Sequence, residues 1–255
     1  MIKILSIGNS FSQDGHRYFH DVAENLGKEI LTYNLYVGGC SFEMHWNYYI
    51  SDEAKYVFEK NGALSDGRND KMISLKKALA FEDWDIITVQ QVSQYSGVED
   101  TYYPFIKNLL SVVREACPRA KLYLHQSWAY EYCRKYHLFE SLYNSSPAVM
   151  QSAIRKVTHK VAMENALAII PTGDAVYAAI NDESVFDPQK GGISLYRDSL
   201  HMSLGYGRYL AALVWCKVLL DAKIENCTYI PADEKTEPAL LEFIKKKVIE
   251  TLAKN

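Results

Sequence analysis

Residues 2–12, Ile2-Lys3-Ile4-Leu5-Ser6-Ile7-Gly8-Asn9-Ser10-Phe11-Ser12, decide how this chain is read. The run Ile2 to Ile7 has the length and apolar content of a buried strand, and Gly8-Asn9-Ser10 is turn chemistry. A strand ending in a Gly-x-Ser turn lifts a serine hydroxyl clear of the sheet, at the edge where open α/β folds bind ligands. Far along the chain, Asp198-Ser199-Leu200-His201 supplies a histidine with a carboxylate three residues before it. A hydroxyl, an imidazole and a carboxylate are the parts of an activated serine nucleophile, its base and the group that orients the base.

Working outward, apolar runs alternate with helical patterns. His16 to Leu26 has helical spacing and ends near Gly27, and Ile30 to Val37 reads as a second strand stopped by Gly38-Gly39. Asp85 to Gln90 reads as a third strand, Tyr103 to Ala116 as a helix, Leu122 to His125 as a fourth strand, and Pro147 to Asn165 as a long helix. Ala168 to Ile170 makes a short fifth strand, and Leu204 to Leu220 and Ala239 to Ala253 close the chain as amphipathic helices. Such alternation predicts parallel pairing through right-handed crossovers. The expected fold is a three-layer α/β/α sandwich around a mostly parallel five-stranded sheet, in a single domain over residues 1–255. Two stretches break the alternation, near 42–76 and 129–146, and are read as insertions that either touch substrate or sit at the periphery.

With 255 residues, 48% hydrophobic and 23% charged, the composition is that of an ordinary globular chain. A net charge of -3 offers no basic field for nucleic acid or an anionic membrane, and no apolar run is long enough to span a bilayer. The five cysteines are scattered, with no Cys-x-x-Cys pair and no zinc spacing, so reduced thiols are expected. No signal peptide is read at the N-terminus, and a cytoplasmic location follows as the expectation. The 19 tyrosines serve packing or a sugar-binding face.

In order and spacing these blocks resemble the SGNH (GDSL-like) hydrolase superfamily, whose first block reads Gly-Asp-Ser-Leu-Ser against Gly8-Asn9-Ser10-Phe11-Ser12 here. The likeness is greatest to the branch whose first block reads Gly-Asn-Ser-Phe or Gly-Asn-Ser-Tyr. The resemblance implies Ser10 as nucleophile, His201 as base, Asp198 as its partner, and a flavodoxin-like order of strands. It also implies an oxyanion hole from the Ser10 N–H, a glycine N–H in Val37-Gly38-Gly39-Cys40, with Gly39 ahead of Gly38, and a side-chain amide after the third strand. There the family shows Gly-x-Asn-Asp, whereas this chain has Gln90-Gln91, with Gln90 expected to serve and Gln91 as the alternative. His125-Gln126-Ser127-Trp128 lies at the same edge, Trp128 being either a stacking platform or packing; His45, Trp46, Tyr48 and Tyr49 carry the same ambiguity.

The activity implied is hydrolysis of a small-molecule ester with a small acyl group, acetyl on a carbohydrate being the narrower option, with no metal or organic cofactor. Two other readings stay open: a catalytically silent carbohydrate-binding module, and an acyltransferase using the same serine.

Overall fold

The computed structural model describes residues 1–64, 72–181 and 185–254. Strand β1 (Ile2–Gly8) pairs in parallel with β2 (Ile30–Tyr36) on one side and with the strand over Ile86–Val89 on the other. The chain forms α1 (Ser10–His16) and α2 (Phe19–Asn25) between β1 and β2, then α3 (Phe42–Ser51), β3 (Tyr56–Lys60), β4 (Met72–Ile73) and α4 (Leu75–Leu79) before β5 (Ile86–Val89). Then follow α5 (Phe105–Ala116), β6 (Lys121–His125), α6 (His137–Tyr143), α7 (Pro147–Glu164), β7 (Ala168–Ile170), α8 (Thr172–Asn181), α9 (Tyr206–Leu220) and α10 (Pro238–Leu252).

The sheet order is β4-β3-β2-β1-β5-β6-β7. Its five parallel members are the five strands expected from the sequence, and they run in the flavodoxin-like order. The sheet reaches seven strands because the first insertion adds β3 antiparallel to β2, and β4 antiparallel to β3. Part of that insertion, residues 65–71, lies outside the described residues. The His16–Leu26 helix of the sequence reading is two helices, α1 and α2, with the break at Arg17-Tyr18.

Alternation along β1 divides the core. Ile4 faces a layer built from α1, α2, α8, α9 and α10, while Leu5 and Ile7 face α3, α4 and α5. Helix α9 fills the first layer so completely that only Lys217 and Val218 escape full burial. Helix starts follow their sequence signals: Ser41, Ser74 and Ser146 each accept a backbone N–H at the first turn, and Pro147 and Pro238 open α7 and α10. Among the described residues no helix is long and apolar enough to cross a membrane.

Three histidines lie in the interior: His16 beside Ser6 Oγ at 2.6 Å, His45 beside Tyr56 Oη at 2.9 Å, and His125 beside Gln90 Oε1 at 2.6 Å. Burial pushes each imidazole down to about 3, with the nearby His16 adding to the effect on His125. Above about pH 6.5 folded and unfolded chains are both neutral at these positions. Between there and about 3 the unfolded chain takes up protons that the folded chain refuses, so stability falls as pH falls. The slope is about 1.4 kcal/mol per pH unit for each histidine, and about 4 kcal/mol for the three together. Urea unfolding followed from pH 7.5 down to pH 5 should show this loss beginning near pH 6.5; a flat profile would contradict neutral burial.

Candidate active site

Gly8 ends β1 where the chain turns into α1 within two residues. A Cβ on Gly8 would lie 2.3 Å from Ser12 Oγ, so a larger residue here would push the α1 start off the strand. Asn9 caps α1, its Oδ1 accepting the Phe11 N–H at 3.1 Å, which leaves Ser10 as the first helical residue. Ser12 turns back beneath the helix, donating to Asn9 O at 2.8 Å and Asn34 Oδ1 at 2.7 Å.

The structure brings Ser10, His201 and Asp198 into one row. Ser10 Oγ lies 2.9 Å from His201 Nε2, and His201 Nδ1 lies 2.7 Å from Asp198 Oδ2. Asp198 Oδ1 accepts the backbone N–H groups of His201 at 2.7 Å and Leu200 at 3.1 Å. Burial raises the Asp198 carboxyl, but the backbone and ring N–H groups of His201 and the Leu200 N–H outweigh it and hold it below the usual carboxylate range. An ionised carboxylate only accepts, so Nδ1 carries the imidazole proton and Nε2 faces Ser10 with its lone pair.

The Asp198–His201 turn is braced from several sides. Ser199 sits in the left-handed region at φ 62°, a conformation that costs energy in a residue with a Cβ and persists where neighbours impose it. Those neighbours come from the second insertion. Glu131 N–H donates to Ser199 O at 3.0 Å, and Arg134 Nη1 reaches Asp198 O at 3.4 Å. Trp128 Nε1 donates to Leu200 O at 2.9 Å. Trp128 is fully buried and stacks on Phe11 at 4.2 Å, so it is packing between the serine helix and the histidine turn, not a platform for ligand.

On the other side of Ser10, Gly39 adopts φ 66° in the loop after β2, with nothing within 4 Å of where its Cβ would be. Asn9 Nδ2 holds this loop through Cys40 O at 3.0 Å. The N–H groups of Ser10 and Gly39 meet no backbone acceptor among the described residues. The two glutamines after β5 part company. Gln91 spends its amide on structure: Nε2 donates to Thr101 O and Oγ1, and Oε1 accepts the Phe42 and Val92 N–H groups. Gln90 points the other way, its Nε2 donating to Asn9 Oδ1 beside the serine. Gln90 Oε1 accepts from His125 Nδ1, and His125 Nε2 accepts from Thr172 Oγ1 at 3.0 Å. A histidine held neutral by burial fits that single-tautomer relay, which fixes which end of the Gln90 amide is the donor.

His45 is buried against Cys40 and Tyr56, Gln126 is buried with Oε1 accepting the Asp174 N–H, and Trp46 stacks on Tyr49 at 5.7 Å while both stay half-buried. A cavity of about 210 Å³ lies behind the Glu131 strap, lined by Tyr130, Glu131, Gln151, Tyr177 and Tyr196; Ser10, His201 and Asp198 are not in its wall. Among the described residues the one grouping with metal-ligand spacing is His20, Asp21 and Glu24 on α2, which shares no residue with this site. Sequence reading missed Asp14 and Arg197, and it placed His125 at this edge without assigning it a role. Their partners lie far off in the chain, and no local spacing announces them.

The family model for DUF4886, Domain of unknown function, matches residues 3–245. The crystal structure of a DUF4886 family protein from Bacteroides uniformis is 30% identical with a TM-score of 0.85, over 99% of this chain and 95% of that one. A candidate SGNH hydrolase from Slackia heliotrinireducens is 23% identical with a TM-score of 0.54, over 86% of this chain and 98% of that one. A lipase/acylhydrolase from Enterococcus faecalis is 16% identical with a TM-score of 0.53, over 92% of this chain and all of that one. At these identities the last two show a shared fold: the architecture is that of the SGNH and GDSL-like hydrolases, as the blocks implied. No curated protein matches the sequence.

Asn9 joins the serine turn, the Gly39 loop and Gln90, so Asn9→Ala should lower stability by about 2 kcal/mol, through loss of the cap and an orphaned carbonyl. Urea midpoints of the two proteins, with unchanged slope, check this; equal midpoints would contradict the brace.

Proposed function

Because this chain belongs to the DUF4886 family and has the fold of the SGNH-type hydrolases, we propose that it is a serine esterase. The observation that carries the reading is the Ser10–His201–Asp198 row, in which a 2.9 Å contact joins Ser10 to His201, 191 positions away, and a 2.7 Å contact joins His201 to Asp198. Such a row has little structural purpose at a half-exposed sheet edge, whereas it suits a hydroxyl that must lose its proton during attack.

In this mechanism His201 Nε2 takes the Ser10 proton as Oγ attacks the ester carbonyl. Asp198, ionised across the neutral range, holds the ring and stabilises the imidazolium that forms. The developing oxyanion is met by the Ser10 and Gly39 N–H groups and by the second hydrogen of Gln90 Nε2. His201 then gives its proton to the departing alcohol, leaving an acyl-Ser10 ester. Water, deprotonated by His201, attacks that ester and frees the acid and the serine. The partner is a small-molecule ester with a small acyl group, and we favour acetyl on a carbohydrate.

Hydrolysis of p-nitrophenyl acetate should be lost in both Ser10→Ala and His201→Ala, with circular dichroism unchanged. Equal rates in all three proteins would mean background chemistry and would end the esterase reading. Gln90→Ala should lower kcat by about 100-fold or more with KM little changed, the cost of one oxyanion donor. An unchanged kcat would remove Gln90 from the hole.

A further inference from the structure

Asp14 joins the two halves of the site. It lies one helical turn after Ser10 on α1, is fully buried, and is saturated by donors from the C-terminal part of the chain. Oδ2 accepts the Met202 N–H at 2.9 Å, and Met202 is the residue after His201. Arg197 Nη1 donates to both carboxylate oxygens, at 2.8 and 3.0 Å, and to Met202 O at 2.5 Å. Arg208 Nε completes the set at 2.9 Å from Oδ1. Both backbone groups of Met202 are thus tied to one ion pair, and the Arg197 N–H closes the loop by donating to His201 O at 2.9 Å. A second carboxylate, Asp233, holds Arg208 at 3.2 Å, and Arg197 also donates to Met202 O, so neither arginine can swing away from Asp14 without leaving another partner.

A buried cluster of this kind is a poor way to gain stability, because desolvation of the charges offsets most of their attraction. It is a good way to fix one backbone relative to another. Within the Asp198–His201 turn only His201 reaches α1, at Ser10 itself and at the Phe11 ring 6.0 Å away; the His201–Asp198 contacts are internal to the turn, and they would survive if the turn moved as a body. Asp14 is the charged group that registers that body against the helix carrying Ser10.

We propose that Asp14, acting through Arg197 and the Met202 backbone, is a positioning residue that sets His201 Nε2 within reach of Ser10 Oγ. This rests on the serine-esterase reading for its kinetic consequence but not for its geometric one. Removing the carboxylate leaves the Asp198–His201 pair intact and lets it drift from the serine. Acylation slows while ester binding persists.

The test compares wild type with Asp14→Asn, Asp14→Ala and Arg197→Met at temperatures below every melting transition, using p-nitrophenyl acetate and a crystal structure of each variant. Expected for Asp14→Ala is a fall in kcat of about 100-fold, the scale of a misplacement remote from the chemistry. KM and the pH midpoint of kcat/KM should be unchanged, since His201 keeps its carboxylate. Asp14→Asn should lose less, because its amide oxygen still accepts the Met202 N–H. In the Asp14→Ala crystal the His201–Asp198 contact should remain while His201 Nε2 and Ser10 Oγ separate. A folded variant with wild-type kcat, or an unchanged His201–Ser10 contact, would overturn the proposal. So would a shifted pH midpoint with a broken His201–Asp198 contact, which marks general collapse of the turn. Should Asp14→Ala fail to fold, Asp14→Asn and Arg197→Met carry the same readouts. A wild type without Ser10-dependent turnover ends the esterase reading instead, and the crystal distances then decide the clamp alone.

Discussion

The placement of β1 between β2 and β5, all three parallel, governs the rest of this molecule. Chains leaving parallel neighbours on the two sides of one strand must diverge to opposite faces, and they open a crevice at the carboxyl end of the strand between them. Ser10 stands at that point. The loop after β2 brings Gly39 from one side, and the end of β5 brings Gln90 from the other. Ser10, Gly39 and Gln90 are all delivered by the strand order.

Strand order does not deliver His201, which arrives from a turn between α8 and α9. Among the described residues that turn has no sheet partner, its one bridge, Tyr196 to Met202, joining its own two flanks, and side chains fix it. Trp128 and the Glu131 strap hold its outer edge, and Asp14 with Arg197 holds its inner end against α1. A parallel logic runs behind the Gly39 loop. There Asn9 ties the loop to the serine turn while His125, kept neutral by burial, orients Gln90. In both places polar groups withdrawn from water are nearly all paired, and unpaired alternatives are costly enough to exclude other arrangements.

How much of this was legible beforehand follows from the range of the forces involved. The Gly8-Asn9-Ser10 turn and the Asp198–His201 spacing are local, and they were read from a few adjacent residues. The five parallel strands carried their own apolar runs. The first insertion did not: β3 and β4 are short and half-exposed, β3 recruited by β2 and β4 by β3, and Tyr56 to Lys60 has no alternation that marks it as a strand by itself. The break between α1 and α2 was hidden because His16 and Tyr18 are buried and continue the helical spacing across it. Gln90 and Gln91 are the same residue type side by side, and only the pleat at the end of β5 decides which one faces Asn9 and which faces Thr101. Asp14 is the extreme case. Its partners lie more than 180 positions away in the chain, and nothing near it in sequence distinguishes it from a surface carboxylate.

The most direct measurement is intact-mass and peptide-mapping mass spectrometry after rapid acid quench of the protein with p-nitrophenyl acetate. A serine esterase working as proposed predicts one acetyl group per chain, carried on the peptide that contains Ser10 and absent from Ser10→Ala. No covalent adduct under single-turnover conditions, or acetyl groups scattered over lysines and unaffected by Ser10→Ala, would contradict the acyl-enzyme and the role assigned to Ser10.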